Sequence, residues 1–276
     1  MALALLAVLE LLAAGSVVVV ALHPSWLPVV GSAEGAYVDH QMAVSIAILL
    51  ILFFAAHSLL GFFVWRWRGG ESPTKSAPGK DHVGIEAGWT LATLVIFVAL
   101  AWSGARSLAQ VRAAQNDGDG AAPLKIEVTG VQFAWYFHYP GADGVLGPTR
   151  PELVDPSSGN AGAIGLDMQS ASSRDDIVSQ TLVLPVGREV QLELRAQDVI
   201  HSFFVPEMRF KQDAVPGRSN ALRFHPTRIG EYEIACAQLC GLGHYKMRAS
   251  LRVVSQQEYE QWLRSPAPLM AARGTP

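Results

Sequence analysis

The sequence predicts a membrane α-helical hairpin followed by an all-β domain with a short closing helix. Three observations predict it. Residues 42–65 carry no formal charge, residues 83–105 form a second apolar run, and each is long enough to cross a hydrocarbon core of about 30 Å. Beyond residue 122 the pattern changes to short alternating runs divided by turn residues, as in a β-sandwich or barrel. Ser255-Gln-Gln-Glu258, just before Tyr259, Trp262 and Leu263, is a capping-box pattern that starts a short helix.

In chain order, residues 1–22 are almost wholly apolar, broken only by Glu10, and read as a secretory signal or as a third spanning helix at the N-terminus. The hairpin is expected over residues 38–108. His57 falls inside its first span, where the plainer reading is a histidine packed against another subunit and the sharper one a functional group. Arg66, Arg68, Lys75 and Lys80 follow on a Gly/Pro/Ser-containing connector. By the positive-inside rule this connector is cytoplasmic, so both outer ends of the hairpin face the periplasm or its equivalent. Glu86, with Trp89 and Thr90, stands at the cytoplasmic start of the second span.

Residues 115–123 read as a polar linker. The β domain is expected over residues 122–264, with strands at 124–128, 131–139, 181–186, 189–195, 221–225, 231–236 and 247–254. Residues 141–178 are rich in Gly, Pro, Ser and Asp and read as a long surface insertion. Residues 265–276 read as a poorly ordered tail.

Composition excludes some functions. A net charge of −3 over 276 residues leaves no basic face for nucleic acid. Two cysteines make no disulfide framework. Their Cys-x-x-x-Cys spacing fits neither a c-type haem attachment nor a thioredoxin-like site.

Chemistry concentrates in Cys236-Ala-Gln-Leu-Cys240-Gly-Leu-Gly-His244-Tyr-Lys-Met247. Thiol, imidazole and thioether together select soft transition metals over hard cations. A zinc site built from Cys236, Cys240, His244 and one further histidine leaves Met247 idle. A blue-copper site of two histidines, one cysteine and a methionine leaves one cysteine idle. Two thiolates bridging two copper ions use all four residues and require a second histidine from elsewhere. His201, in Asp198-Val-Ile-His-Ser-Phe-Phe-Val-Pro206, is the best candidate. His138 and His225 are weaker ones. Two plain reduced cysteines in an apolar strand are the remaining reading.

The chain resembles subunit 2 of the haem–copper cytochrome c oxidases. The resemblance is carried by the stretch 236–247, by Asp198-Val-Ile-His-Ser-Phe-Phe-Val-Pro-Glu-Met208, by Asp213-Ala-Val-Pro-Gly-Arg218, by Gly230-Glu-Tyr232, by Gln132-Phe-Ala-Trp-Tyr-Phe-His-Tyr139 and by Glu86-Ala-Gly-Trp-Thr90. It runs from about residue 36 to 264. It implies a cupredoxin-type β-barrel holding a dinuclear copper (CuA) centre. His201 and His244 would supply imidazoles, Cys236 and Cys240 would bridge, and Met247 and the main-chain carbonyl of Gln238 would be the axial ligands. Gln238 departs from the glutamate usual there. A neutral amide is a weaker magnesium ligand than a carboxylate, which puts the family's magnesium in doubt here.

The resemblance further implies a role in outer-sphere electron transfer. Reduced cytochrome c would donate on the periplasmic side of a bacterial-type inner membrane. The acceptor would be haem in subunit 1, where haem and CuB reduce dioxygen to water with proton translocation, alongside other oxidase subunits. Phe133 and Trp135 are candidate surface aromatics where electrons come in, or else core residues. Asp198 occupies a docking-acid position, and Glu86 resembles the residue at the mouth of a proton path. A quinol-oxidase subunit, a nitrogen-oxide reductase component with a similar centre and a membrane-anchored copper carrier are the rival readings.

Overall fold

A computed structural model describes residues 2–22, 27–67, 82–114 and 122–264. Arg68, Lys75 and Lys80 of the basic connector, most of the polar linker and the tail from 265 lie outside the described residues. The chain divides into two compact units, Met1–Pro28 with Tyr37–Ala109, and Val29–Ala36 with Gln110–Pro276.

The first unit is helical: α1 (Ala2–Leu22), α2 (Ala33–Arg66) and α3 (Val83–Ala114). Both α2 and α3 are long and apolar enough to cross a membrane, and the apolar window of each presents its side chains outward. The helices outrun the apolar stretches. Tyr37 and Gln41 in α2, and Arg106 and Arg112 in α3, lie on the polar ends of these helices. This polar end also joins the two helices. Ser103 Oγ donates to Gln41 Oε1 (2.7 Å) and Ser107 Oγ to the Tyr37 carbonyl (3.2 Å). One bond joins two side chains and the other a side chain and a main-chain carbonyl, and both cross from α3 to α2. His57 turns back on its own helix, its Nδ1 2.8 Å from the Phe53 carbonyl and its ring against that of Phe53.

The second unit is a barrel of two five-stranded sheets. In sequence order its elements are β1 (Leu124–Val131), β2 (Ala134–Tyr139), α4 (Asn160–Ala163), β3 (Ile177–Ser179), β4 (Thr181–Pro185), β5 (Val190–Ala196), β6 (His201–Val205), β7 (Phe210–Ala214), β8 (Asn220–Phe224), β9 (Gly230–Cys236), β10 (Arg248–Val254) and α5 (Gln256–Arg264). One sheet runs β3-β2-β1-β5-β8 and the other β4-β10-β9-β6-β7. β1 pairs in parallel with β5, and β10 with β4; the other pairs are antiparallel. The fold is the cupredoxin-type barrel with a preceding helical hairpin that the resemblance implies.

Period-two alternation builds the core. Ile126 and Val128 of β1, Trp135 and Phe137 of β2, and Leu192 and Leu194 of β5 face inward from one sheet. Leu182, Leu184, Phe203, Val205, Ile234 and Leu251 meet them from the other. For Trp135 the sequence left a surface and a core reading open. At 1% exposure it is a core residue and not a surface aromatic, because it shares the inward face with Phe137 and Tyr139.

Two stitches hold segments that the sequence left loose. Residues 31–34, at the start of α2, bond to the barrel. The Gly31 N–H donates to the Glu207 carbonyl (2.8 Å) and Ser32 Oγ to the Met208 carbonyl (2.8 Å). Glu34 Oε1 takes His225 Nδ1 at 2.9 Å. The 141–178 insertion is clasped from below by Asp176, whose carboxylate meets His138 Nε2 at 2.6 Å and accepts the N–H groups of Gly141 and Gly147. Ile164 and Leu166 of the insertion are buried, so it is a packed lobe more than a loose surface loop.

The closing helix starts as its sequence requires. The Ser255 N–H donates to Glu258 Oε2 (2.9 Å) and the Glu258 N–H to Ser255 Oγ (3.2 Å). Tyr259 and Trp262 of α5 then close over the end of the barrel beside Tyr139.

The clasp gives a testable outcome. His138→Ala removes the imidazole partner of a fully enclosed carboxylate and should lower stability by about 3 kcal/mol. The measurement is thermal unfolding of the full chain in detergent, set against a variant at an exposed position; an unchanged midpoint would refute the clasp.

Candidate metal centre

Two separate pieces of chain build the site. β9 ends at Cys236 and β10 begins at Arg248, and the loop between them carries Gln238, Cys240, His244 and Met247. The Cys236 N–H donates to the Met247 carbonyl (3.1 Å), which clips the two ends of the loop together. A 3-10 turn at His244–Lys246 folds its second half back. The Ala237 N–H donates to the Ser202 carbonyl (2.9 Å) and ties the loop to β6. β6 pairs with β9 so that Phe203 lies opposite Cys236. That register brings His201, the first residue of β6, to the mouth of the loop.

Six donor groups converge there. Cys236 Sγ lies 3.9 Å from Cys240 Sγ, 3.9 Å from His201 Nδ1 and 3.2 Å from the Gln238 carbonyl oxygen. Cys240 Sγ lies 3.6 Å from His244 Nδ1 and 3.7 Å from Met247 Sδ. Both thiols are free and buried, as are His201 and Met247. The donor atoms of His201, Cys236 and Cys240 lie within 4.8 Å of one another, which could hold a metal ion. The spacing suits a soft metal. Metal–sulfur bonds near 2.3 Å and metal–imidazole bonds near 2.0 Å can span about 4.6 Å between two sulfurs and about 4.3 Å between sulfur and nitrogen. The observed separations fall inside both limits.

Supporting groups fix the ligands. His201 Nε2 is 2.8 Å from Asp198 Oδ1, leaving Nδ1 directed at Cys236. A carboxylate on the far nitrogen sets the tautomer and orientation of a ligating histidine. Burial opposes ionisation of Asp198, but hydrogen bonds from His201 and from the N–H groups of Gln132 and Val199 outweigh it and lower its pKa. The Asp198 carboxylate is thus tied to His201 while the residue stays partly exposed. Gln132, absent from the sequence-based candidates, donates from its side-chain amide to the Cys240 carbonyl. Its only sequence signal was its position ahead of the aromatic run.

The remaining candidates lie elsewhere. His138 and His225 are engaged with Asp176 and Glu34, outside the cluster. Glu86 is exposed in the first turn of α3. Phe133, 38% exposed, adjoins the loop, while buried Trp135 sets its ring edge-on to His201. Leu239, Leu242 and Tyr245, on the same loop as half-buried His244, are exposed.

The two thiols are unequal. Burial opposes ionisation of Cys236, yet hydrogen bonds from His201, the Ser202 and Gln238 backbone and His244 outweigh it and bring its pKa down to about 6. Burial pushes Cys240 up to about 11, helped by the neighbouring Cys236 and Asp198.

Fold and site together define a membrane-anchored β-barrel protein with a buried sulfur-and-imidazole metal site. The sequence profile described as "Cytochrome C oxidase subunit II, periplasmic domain" matches residues 124–254, the barrel from its first strand to its last. The "Alternative cytochrome c oxidase subunit 2" of Bradyrhizobium diazoefficiens is 31% identical over 258 residues, covering 93% of this chain and 89% of that one. The "Cytochrome c oxidase subunit 2" of Cereibacter sphaeroides is 31% identical over 230 residues, covering 80% and 70%. Among solved structures, the periplasmic domain of subunit II of cytochrome oxidase of Bradyrhizobium japonicum aligns at 27% identity and a TM-score of 0.37, over 52% of this chain and 93% of that one. The chain belongs to the cytochrome c oxidase subunit 2 family, and so to a component of an oxidoreductase complex with a periplasmic domain.

In the metal-free, reduced protein, thiolate absorbance should rise in two separated steps, the first below the ordinary cysteine value, where Cys236 ionises, and the second above it. Cys236→Ser should remove the lower step and bring Cys240 back towards the ordinary value, since Cys236 is one of the groups that raise it. A single step of two thiols near the ordinary cysteine value would contradict the asymmetry.

Proposed function

We propose that this chain accepts electrons from a reduced cytochrome c at a dinuclear copper (CuA) centre. It then passes them to haem in subunit 1 of a respiratory oxidase, where haem and CuB reduce dioxygen to water with proton translocation. One observation carries the reading: two thiols, two imidazoles, a thioether and a main-chain carbonyl meet at one end of the barrel, at separations that bonds to soft metal ions can bridge. A single tetrahedral ion would use four of these six. Two soft ions would engage them all: Cys236, Cys240, His201, His244, Met247 and the Gln238 carbonyl would hold the pair.

Copper, when bound, supplies one-electron exchange shared over two ions. The chain's own residues keep the accompanying rearrangement small. Asp198 holds the His201 ring, the clip from Cys236 to Met247 holds the loop ends, and the packed barrel leaves the ligands little freedom to shift. Burial of both sulfurs excludes water and favours fast, low-reorganisation transfer. Phe133, exposed beside the loop, is the aromatic at which electrons arrive; the apolar rim of Leu239, Leu242 and Tyr245 is where the domain meets its partners, subunit 1 and the other oxidase subunits among them. The barrel faces the periplasm of a bacterial-type inner membrane, with α2 and α3 as the anchor. Glu86 lies at the mouth of a proton path on the opposite side. The Gln238 amide is a poor hard-cation ligand, which argues against magnesium at this position.

Cys240→Ser tests the centre. It removes one bridge and should abolish the seven-line EPR pattern and the two-copper stoichiometry; a mutant that keeps both sinks the assignment. Glu86→Ala tests the proton role. Steady-state oxygen uptake should fall at least several-fold while copper reduction by cytochrome c stays at the wild-type rate. Normal oxygen uptake in that variant rejects the role.

A further inference from the structure

The turn between β1 and β2, at Gln132 and Phe133, touches both halves of the ligand set. The Gln132 main-chain N–H donates to Asp198 Oδ2 (2.7 Å), and the other oxygen of that carboxylate faces His201 Nε2. The Gln132 side-chain Nε2 donates to the carbonyl oxygen of Cys240. Gln132 thus reaches across 66 residues to the histidine side of the site and across 108 residues to the thiol side.

Phe133 completes the contact. Its ring lies on the backbone at Gly241 and Gly243. A Cβ on Gly243 would lie only 2.4 Å from the nearest atom of the ring, and one on Gly241 would lie 2.8 Å from Gln132 Nε2 and 3.2 Å from the Phe133 ring. Gly241 also has a φ of +134°, a conformation side chains rarely adopt. The loop is bare of side chains where the turn lies flat on it.

We infer that Gln132 is a positioning residue for the two-copper site: its backbone secures Asp198 and its side-chain amide secures Cys240, so that turn and ligand loop form one rigid unit before metal arrives. As a statement about function this rests on the dinuclear reading; as a statement about the loop it does not. The physical basis is the part-buried Cys240 carbonyl. It requires a donor, and Gln132 supplies one from a strand end that the core already fixes. Without that donor the loop loses an anchor between the clip at its two ends, and Phe133 loses the flat bed on which it rests. A glutamine that merely fills space would be replaced by leucine without consequence for the loop.

The experiment uses the full chain in detergent with Gln132→Leu, which removes the donor, and Gln132→His, whose Nε2 falls near the glutamine amide nitrogen and can restore it. In the metal-free protein, amide exchange over residues 240–247 should become about fivefold faster in the leucine variant, the effect of one ordinary hydrogen bond. Exchange in β4 and β10 should not change, and the histidine variant should return the loop towards wild type. After copper loading, the midpoint potential and EPR hyperfine pattern should shift in the leucine variant and recover in the histidine variant. Unchanged loop exchange in the leucine variant overturns the inference, as does equal acceleration in both variants. If the leucine variant loosens the core strands as well, Gly243→Ala decides, since it lifts Phe133 off the loop. Loop-restricted acceleration there supports the brace, and none overturns it. A wild-type protein that takes up no copper defeats the dinuclear reading, while the metal-free exchange still decides the role of Gln132.

Discussion

Everything at the working end of the barrel depends on one register: β6 lying against β9 with Phe203 opposite Cys236. Cys236 and His201 are 35 residues apart in sequence, and this pairing is what sets their donor atoms 3.9 Å apart. Sliding a strand by one residue turns its side chains to the opposite face. A slip of β6 would carry His201 away from the sulfurs and bring Ser202 in its place. The buried aromatic cluster guards against that slip. Trp135 packs edge-on against both His201 and Phe203, and Phe203 stacks on Phe210. The hydrophobic core is therefore also the jig that spaces the ligands.

The site is asymmetric in depth. His201 is fully enclosed and has its far nitrogen on Asp198, while His244 is half-buried on a 3-10 turn with exposed leucines and a tyrosine on the same loop. The thiols share the inequality, since Cys236 sits where donors lower its pKa and Cys240 where burial and its neighbour raise it. One side of the cluster is fastened to the barrel and the other opens to the rim. A fixed inner half with an accessible outer half is what the proposed electron exchange would require.

Much of this was legible in the sequence. Apolar length marked the two long helices, period-two alternation marked most of the strands, and Ser255 to Glu258 marked α5 down to its reciprocal hydrogen bonds. The ligand loop was legible because its donors are close in sequence and of unusual types. What escaped was non-local or masked by composition. β7, Phe210–Ala214, carries Lys211, Gln212 and Asp213 and lacks an apolar signal, since a half-exposed strand beside its hairpin partner needs none. Trp135 was left open between surface and core because residue type does not reveal which face of a strand it occupies. Gln132 and the true engagement of Asp198 came only from tertiary contacts, for a hydrogen bond across 108 residues leaves no local pattern. The Asp176 clasp was hidden for the same reason inside a stretch whose Gly, Pro and Ser content suggested a loose excursion.

The backbone bond from Cys236 to Met247 gives the loop a property that outlasts any particular metal. It closes the twelve residues into a ring anchored on two antiparallel strands, so the segment behaves as a cassette. His201 and Asp198 are held separately, on β6 and in the approach to it. The end of the barrel is thus shaped by the protein alone, with both halves of the candidate site fastened by hydrogen bonds that involve no ion.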